Sequence, residues 1–198
     1  MVFTNFIQTI DRKGNLVHGS FLNNLEGILD FGVCPPSMLP KTDKPKSFFG
    51  NRNMNTARCG TNINYISAMV LKDANKFSFE RQYLWSPFFH YFVVAEHNDW
   101  EQINGNPLEA KRKEEPYCYH SSELTLYNQK ISPDEFIGFV TYTNEIIEQL
   151  SKNNPYNLFS KSNGKLLTSD EINNFIIENL KERGMEKHIY SIEGVKIL

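Results

Sequence analysis

Residues 14–32 read Gly-Asn-Leu-Val-His-Gly-Ser-Phe-Leu-Asn-Asn-Leu-Glu-Gly-Ile-Leu-Asp-Phe-Gly, and the change of period inside this stretch sets the fold class. Gly14 and Asn15 form a turn, and Leu16 to His18 a short strand. From Phe21 the apolar positions Phe21, Leu25, Ile28 and Leu29 fall at helical spacing, and Gly32 supplies a stop. A strand runs directly into a helix here. Between Gly32 and Tyr142 the chain reads as strands separated by long loops rather than by helices, the pattern of an α+β fold and not of a doubly wound one.

Working outward, Cys34-Pro35-Pro36 opens a polar loop that reaches about Asn55, longer than a mere connection requires. Asn62 to Val70 reads as a strand entering a short helix. Phe88 to Glu96 is the clearest strand, aromatic and β-branched throughout. Residues 98–121 read as a second long polar loop with Gly105, Pro107 and Pro116. Glu123 to Asn128 is a strand with Leu124 and Leu126 on one side, and Phe136 to Tyr142 is another. After Tyr142 the texture changes. Glu145 to Leu150 is a short helix broken by Ser151 to Pro155. Thr168 or Ser169 caps a helix that runs to about Gly184, with Ile172, Phe175, Ile176 and Leu180 on one face. Ile189 to Leu198 reads as a last strand. The expected organisation is a core over residues 1–142 and a helical and strand annex over 143–198 packed on the same domain.

The chain's 198 residues are enough for one domain with a proper core. Aromatic residues make up 13%, which suits pleated sheet better than a helical bundle. The net charge of −2 gives no basic excess for neutralising phosphates, so a strongly electrostatic nucleic-acid binder is not expected. The basic run Lys111-Arg112-Lys113 is answered at once by Glu114-Glu115. Three cysteines, Cys34, Cys59 and Cys118, lack the spacing of a disulfide framework or a zinc site, so no metal is expected and each reads as a small buried hydrophobe. The opening residues lack the pattern of a signal peptide, and no run reaches the ~18 apolar residues of a membrane span. The expectation is a monomer made in the cytoplasm, acting there or in the cytosol of another cell after signal-independent delivery.

Three short stretches carry chemistry. In His18-Gly19-Ser20 a histidine can hydrogen-bond a ribose hydroxyl, and the glycine lets a flat carboxamide approach the backbone. In Asn64-Tyr65-Ile66-Ser67-Ala68 the tyrosine can stack on an aromatic ring. In Ser121-Ser122-Glu123-Leu124-Thr125-Leu126-Tyr127 a glutamate opens an otherwise apolar strand, and a carboxylate at the edge of a core calls for a ligand or a partner cation. Each has a plainer reading: a satisfied strand-end histidine, a core tyrosine, a solvated strand end.

Taken in order, the blocks HGSFLNNLEGILDFGVCPP, NYISAMVLKDANKF and SELTLYNQKISPDEFIGFV resemble the three signature blocks of the poly(ADP-ribose) polymerase catalytic domain. That domain represents the His-Tyr-Glu branch of the ADP-ribosyltransferases. The resemblance spans roughly residues 14–142, with only the blocks informative. The bacterial DNA-modifying ADP-ribosyltransferases of toxin–antitoxin pairs are similar in the first helix and third block. They carry a catalytic arginine, a role that Arg52 or Arg58 would have to fill here. An RNA 2′-phosphotransferase shares the fold, but the further arginines of its site have no counterpart.

The resemblance implies a split β-sandwich with peripheral helices and NAD as co-substrate. His18 would bond a ribose hydroxyl, the Gly19 backbone the nicotinamide amide, and Ser20 and Asn24 the adenosine side. Tyr65 would stack on the nicotinamide, Ser67 and Phe77 would complete the cofactor contacts, and Glu123 would act as the catalytic carboxylate. Two positions depart from the family. Asp73 stands where a serine bonds the nicotinamide amide, and Lys76 where a second tyrosine stacks, with Phe77 and Phe79 as nearby substitutes. Ser121-Ser122 lacks the acidic or amide residue that arginine-modifying transferases place two positions before the glutamate. No regulatory helical domain precedes His18, so transfer of single ADP-ribose units is expected. The acceptor would be a macromolecule, a protein in preference to a nucleic acid, with an antitoxin or chaperone as a further partner. Trp100, Tyr117, Tyr119 and His120 are candidates for contacting the acceptor. The alternative of a different class is an inactive module that binds NAD or ADP-ribose, for which Asp73 and Lys76 speak.

Overall fold

The computed structural model describes residues 15–35, 38, 65–71, 89–96, 117–120, 123–127, 129–153, 159–193 and 195–198. It is a mixed α+β structure around a seven-stranded sheet. The first strand, β1 (Asn15–Ser20), passes through a 3-10 turn (Leu22–Asn24) into helix α1 (Leu25–Phe31). Next come β2 (Tyr65–Leu71), β3 (Tyr91–Glu96), β4 (Tyr117–His120) and β5 (Glu123–Tyr127). A second 3-10 turn (Pro133–Glu135) leads into β6 (Phe136–Thr141), helix α2 (Asn144–Asn153), helix α3 (Ser169–Glu182) and β7 (His188–Ser191). The spatial order is β4-β5-β2-β1-β3-β6-β7. Neighbours run antiparallel except β6 and β7, which are parallel.

The strand expected from the aromatic run ahead of Glu96 is β3, and it lies inside the sheet between β1 and β6. Tyr91 to Ala95 are all buried, which is why the sequence there is apolar without alternation. Three expectations are corrected. The stretch read as a strand entering a short helix is strand throughout Tyr65–Leu71, since it pairs with β5 and β1. Residues 98–121 are not a loop throughout, because Tyr117–His120 pairs with β5, with a bulge between Cys118 and His120. The last strand is also shorter than Ile189 to Leu198. After Ser191 the chain turns back, and the amide of Ile197 donates to the carbonyl of Ile189 (2.7 Å).

Helix α3 forms for reasons visible in its sequence. Thr168 accepts from the Glu171 amide (3.2 Å) while the Glu171 carboxylate accepts from the Thr168 amide (2.9 Å). This capping box satisfies two of the first-turn donors, and Asp170 and Glu171 suit the positive end of the helix. Ile172, Ile176 and Leu180 then recur every fourth residue and are buried. Phe175, expected on the same face, is half-buried. The buried Asn173 accepts from the Thr141 hydroxyl (2.7 Å), tying α3 to the end of β6. Arg183 reaches Asp30 with two guanidinium nitrogens (2.7 and 3.3 Å), tying α3 to α1. Residues beyond 142 thus share the core with β1, β3 and α1, through Ile147, Leu150, Phe159, Ile172, Ile176 and Ile189.

The aromatic content is organised as well as abundant. Phe21, Phe89, Phe92, Tyr142, Phe159 and His90 form a closed circuit, each ring touching the next at centroid separations of 5.2–6.1 Å. Most of these contacts are edge-to-face, the arrangement the ring quadrupole favours. Cys34 is half-buried and free, and burial raises its thiol pKa while Lys130 pulls it back. Cys59 lies outside the described residues. Among the described residues no helix is long and apolar enough to cross a membrane.

Candidate functional site

The ladder between β1 and β2 holds for three rows only: Asn15 with Leu71, Leu16 with Val70, and Val17 with Met69. Beyond Val17 the strands part company. On one side β1 stays paired with β3 as far as Ser20. On the other side β2 stays paired with β5 as far as Tyr65. The sheet therefore opens as a wedge, with His18–Ser20 along one lip and Tyr65–Ala68 along the other.

Glu123 sits level with the closed end. It pairs with Met69, which pairs with Val17, so the three lie in one row about 10 Å across at two strand spacings. His18 is the next residue along β1. Tyr65, by contrast, pairs with Tyr127 at the open end of β2, four residues or roughly 13 Å from the Glu123 row. The register puts Glu123, Ser67 and Tyr65 on the same face of the sheet as Val17 and Gly19, with Tyr65 at the mouth, and His18 on the opposite face. Glu123 opens β5, as the sequence suggested, and Tyr65 lies on a strand, as expected, at the start of β2. Asp73, Lys76, Phe77, Phe79, Arg52, Arg58, Trp100, Ser121 and Ser122 lie outside the described residues. Tyr117, Tyr119 and His120 belong to β4, next to β5.

The β1 lip is built in more detail. His18 is half-buried and Gly19 buried. Ser20 is buried, and its hydroxyl accepts from the Asn24 amide (3.4 Å). Ser20 also pairs across the ladder with Tyr91. Burial drives the Tyr91 phenol well above its ordinary range, and the neighbouring Ser20 side chain tempers the rise. Ser20 and Asn24, expected at the adenosine side, thus also brace each other and the strand end.

Two residues that the sequence reading passed over complete this lip. The carbonyl of Ser20 accepts from the His90 amide (2.8 Å), and the amide of Leu22 donates to His90 Nδ1 (3.2 Å). His90 therefore fixes the turn from β1 into the 3-10 segment, with Nδ1 as acceptor and its ring proton on Nε2. Phe89 lies over Gly19. A Cβ at position 19 would fall 2.1 Å from Phe89 Cδ2 and 2.5 Å from Cγ, so only glycine accommodates the ring there. The signal was the aromatic pair Phe88-Phe89 just ahead of β3, read in the sequence as strand.

A separate hollow of about 420 Å³ lies at the carboxyl ends of β6 and β7, with Tyr142, Thr143, Asn173 and Ser191 among its walls. Its other lining residues include Glu145, Asp170 and Glu193 but no lysine or arginine. That charge pattern is wrong for a pyrophosphate. Among the described residues no cluster of three His, Cys, Asp or Glu could hold a metal ion.

Neither a protein-family model nor a curated protein matches this chain.

Proposed function

We propose that the chain is an NAD-dependent mono-ADP-ribosyltransferase acting on a macromolecular acceptor, a protein in preference to a nucleic acid. The observation that carries this reading is the wedge between β1 and β2, with Glu123 level with its apex. The described strands form one continuous sheet, and its partial parting between β1 and β2, which falls between the first two of the three blocks, is what supports a split β-sandwich. The third block supplies the carboxylate.

On this reading the nicotinamide riboside lies along the wedge, with His18 bonding a ribose hydroxyl and Tyr65 stacking from the mouth. Glu123, level with the apex on the strand beyond β2, would bond the ribose 2′-OH and face the positive charge that develops on the sugar as nicotinamide leaves. A fixed carboxylate opposite a developing oxocarbenium ion stabilises the transition state more than the ground state, which is what accelerates glycosidic cleavage. The β4 residues Tyr117, Tyr119 and His120 flank β5, the strand that begins with Glu123, and on this reading they stand on the side from which an acceptor arrives. Net charge of −2 favours a protein acceptor over a nucleic acid.

The test is release of nicotinamide from NAD by the purified chain, alone and with cell lysate as an acceptor source, with Glu123→Gln alongside. The substitution should lower turnover about a hundredfold, the cost of one lost transition-state contact, and leave thermal unfolding unchanged. Equal turnover by both proteins would remove Glu123 from the mechanism. The second reading, an inactive module that binds NAD or ADP-ribose, draws on the ring of Phe89 over Gly19. It expects ADP-ribose binding with no nicotinamide release under either condition.

A further inference from the structure

We propose that Phe89 is a gate on the ring seat of the wedge: its phenyl ring covers Gly19, and a flat heteroaromatic ring such as nicotinamide enters only when Phe89 swings away. This rests on the NAD reading above and adds to it a residue that sets access and specificity.

The geometry requires such a choice. Three atoms of the Phe89 ring lie 2.1–2.6 Å from where a Gly19 Cβ would be, so the ring rests directly on the glycine backbone. No second ring fits between them, and a ligand that uses the Gly19 surface must displace the phenyl group. The glycine itself is legible in these terms. Any side chain at position 19 would fill the seat and exclude both rings.

The moving part is the side chain, not the strand. The backbone just beyond Phe89 is pinned, with the His90 amide on the Ser20 carbonyl and the Leu22 amide on the His90 ring. Phe89 itself is half-buried, while its neighbours Phe21 and Phe92 are buried. It meets both of them edge-to-face, at 5.7 and 6.1 Å. A half-buried ring that meets these two buried rings edge-to-face would turn about its first side-chain bond while the backbone pairing stays in place. Phe92 pairs with Gly19 across β1 and β3, so the seat keeps an aromatic wall when the gate is open.

The experiment is calorimetric titration of the wild type, Phe89→Ala and Phe89→Leu with nicotinamide and, separately, with ADP-ribose. A closed gate reduces apparent affinity by the fraction of time the seat is open, so removing it should tighten nicotinamide binding on the order of tenfold for a seat open one-tenth of the time. Phe89→Leu should fall between, and it carries the test if the alanine variant does not fold. ADP-ribose, which lacks the nicotinamide ring and would set its adenine at the other end of the site, should bind all three proteins alike. Adding Gly19→Ala to Phe89→Ala should abolish the gain. Nicotinamide affinity that is unchanged or weaker in both Phe89 variants, with ADP-ribose still bound, overturns the gate and leaves the transferase reading standing. Failure of every protein to bind ADP-ribose or nicotinamide overturns the NAD reading and the gate together.

Discussion

Replacing Gly32 with alanine should be among the most damaging single-methyl changes this fold can suffer. Gly32 ends α1 at φ 90° and ψ 179°, a combination essentially confined to glycine, and holding another residue there costs about 1–3 kcal/mol. The added Cβ would stand 2.3 Å from the Ile131 carbonyl oxygen and 3.2 Å from Pro133 Cδ. That oxygen has little freedom to move. It accepts from the Val33 amide (2.9 Å), and the Ile131 amide donates back to Val33 (2.8 Å). Relieving the overlap means breaking this bridge or shifting α1 against the turn before β6, for which overpacking costs of about 1–3 kcal/mol apply. The two contributions sum to roughly 2–6 kcal/mol. At about 2–4 °C per kcal/mol for a chain of this size, Tm should fall by on the order of 10 °C. Two other glycines separate the causes. Gly164 has φ 77° with no atom near its missing Cβ, so Gly164→Ala should show only the backbone share, about 1–2 kcal/mol. Gly27 lies within α1 with open space beside it, and Gly27→Ala should stabilise by up to about 1 kcal/mol. Urea and thermal unfolding of the three variants measure these directly. A Gly32→Ala protein no less stable than Gly164→Ala would refute the steric argument.

Other outcomes are expected from the same framework. Thr168→Ala removes one half of the α3 capping box and should cost about 1 kcal/mol in urea unfolding. Ile176→Ala, at a fully buried position on α3, should cost about 2–5 kcal/mol, and a loss below about 1 kcal/mol would mean α3 is not packed as described. The Glu171 carboxyl is held below the ordinary carboxylate range by its hydrogen bond to Lys161 and by the Thr168 amide. Its contribution is therefore present above the unfolded-state pKa and is lost as pH falls through the folded-state value. The stability difference between wild type and Glu171→Gln should narrow as pH drops below about 4.3, and one that widened instead would contradict this sign.

The positions of β1, β3, β5, β6 and α3 were legible because their patterns are strong. Phe88 to Glu96 is apolar on both parities because β3 is buried on both faces, and the α3 stripe repeats at helical spacing behind a capping box. Glu123 was legible as a strand opener, and Tyr65 as a strand residue. The strand β4 was not, because Tyr117–His120 is four residues long and sits at the sheet edge just after Pro116 and a charged run. Edge strands of that length leave little periodicity to detect. The wedge was invisible too. That β1 leaves β2 after Val17 while keeping β3 is a matter of long-range register, which the local sequence does not encode. For the same reason Phe89, which reads as one more strand aromatic, gave no sign that it rests on a glycine in another strand.

The parallel pairing of β6 with β7 has a consequence for how the chain reaches this structure. Gly138 pairs with His188, so the register is fixed between residues fifty positions apart, across two helices. Pairings that close such long loops are slow to form. The antiparallel strands from β1 to β6 lie upstream and emerge from the ribosome first. Until His188–Ser191 arrives, β6 presents its hydrogen-bonding groups as a bare edge, alongside the apolar side chains that Ile189 and α3 later cover. Such an edge is a template for pairing with another copy. Chains interrupted before residue 188 should therefore be lost to aggregation, and synthesis of this protein carries an interval of exposure that ends only with its last strand.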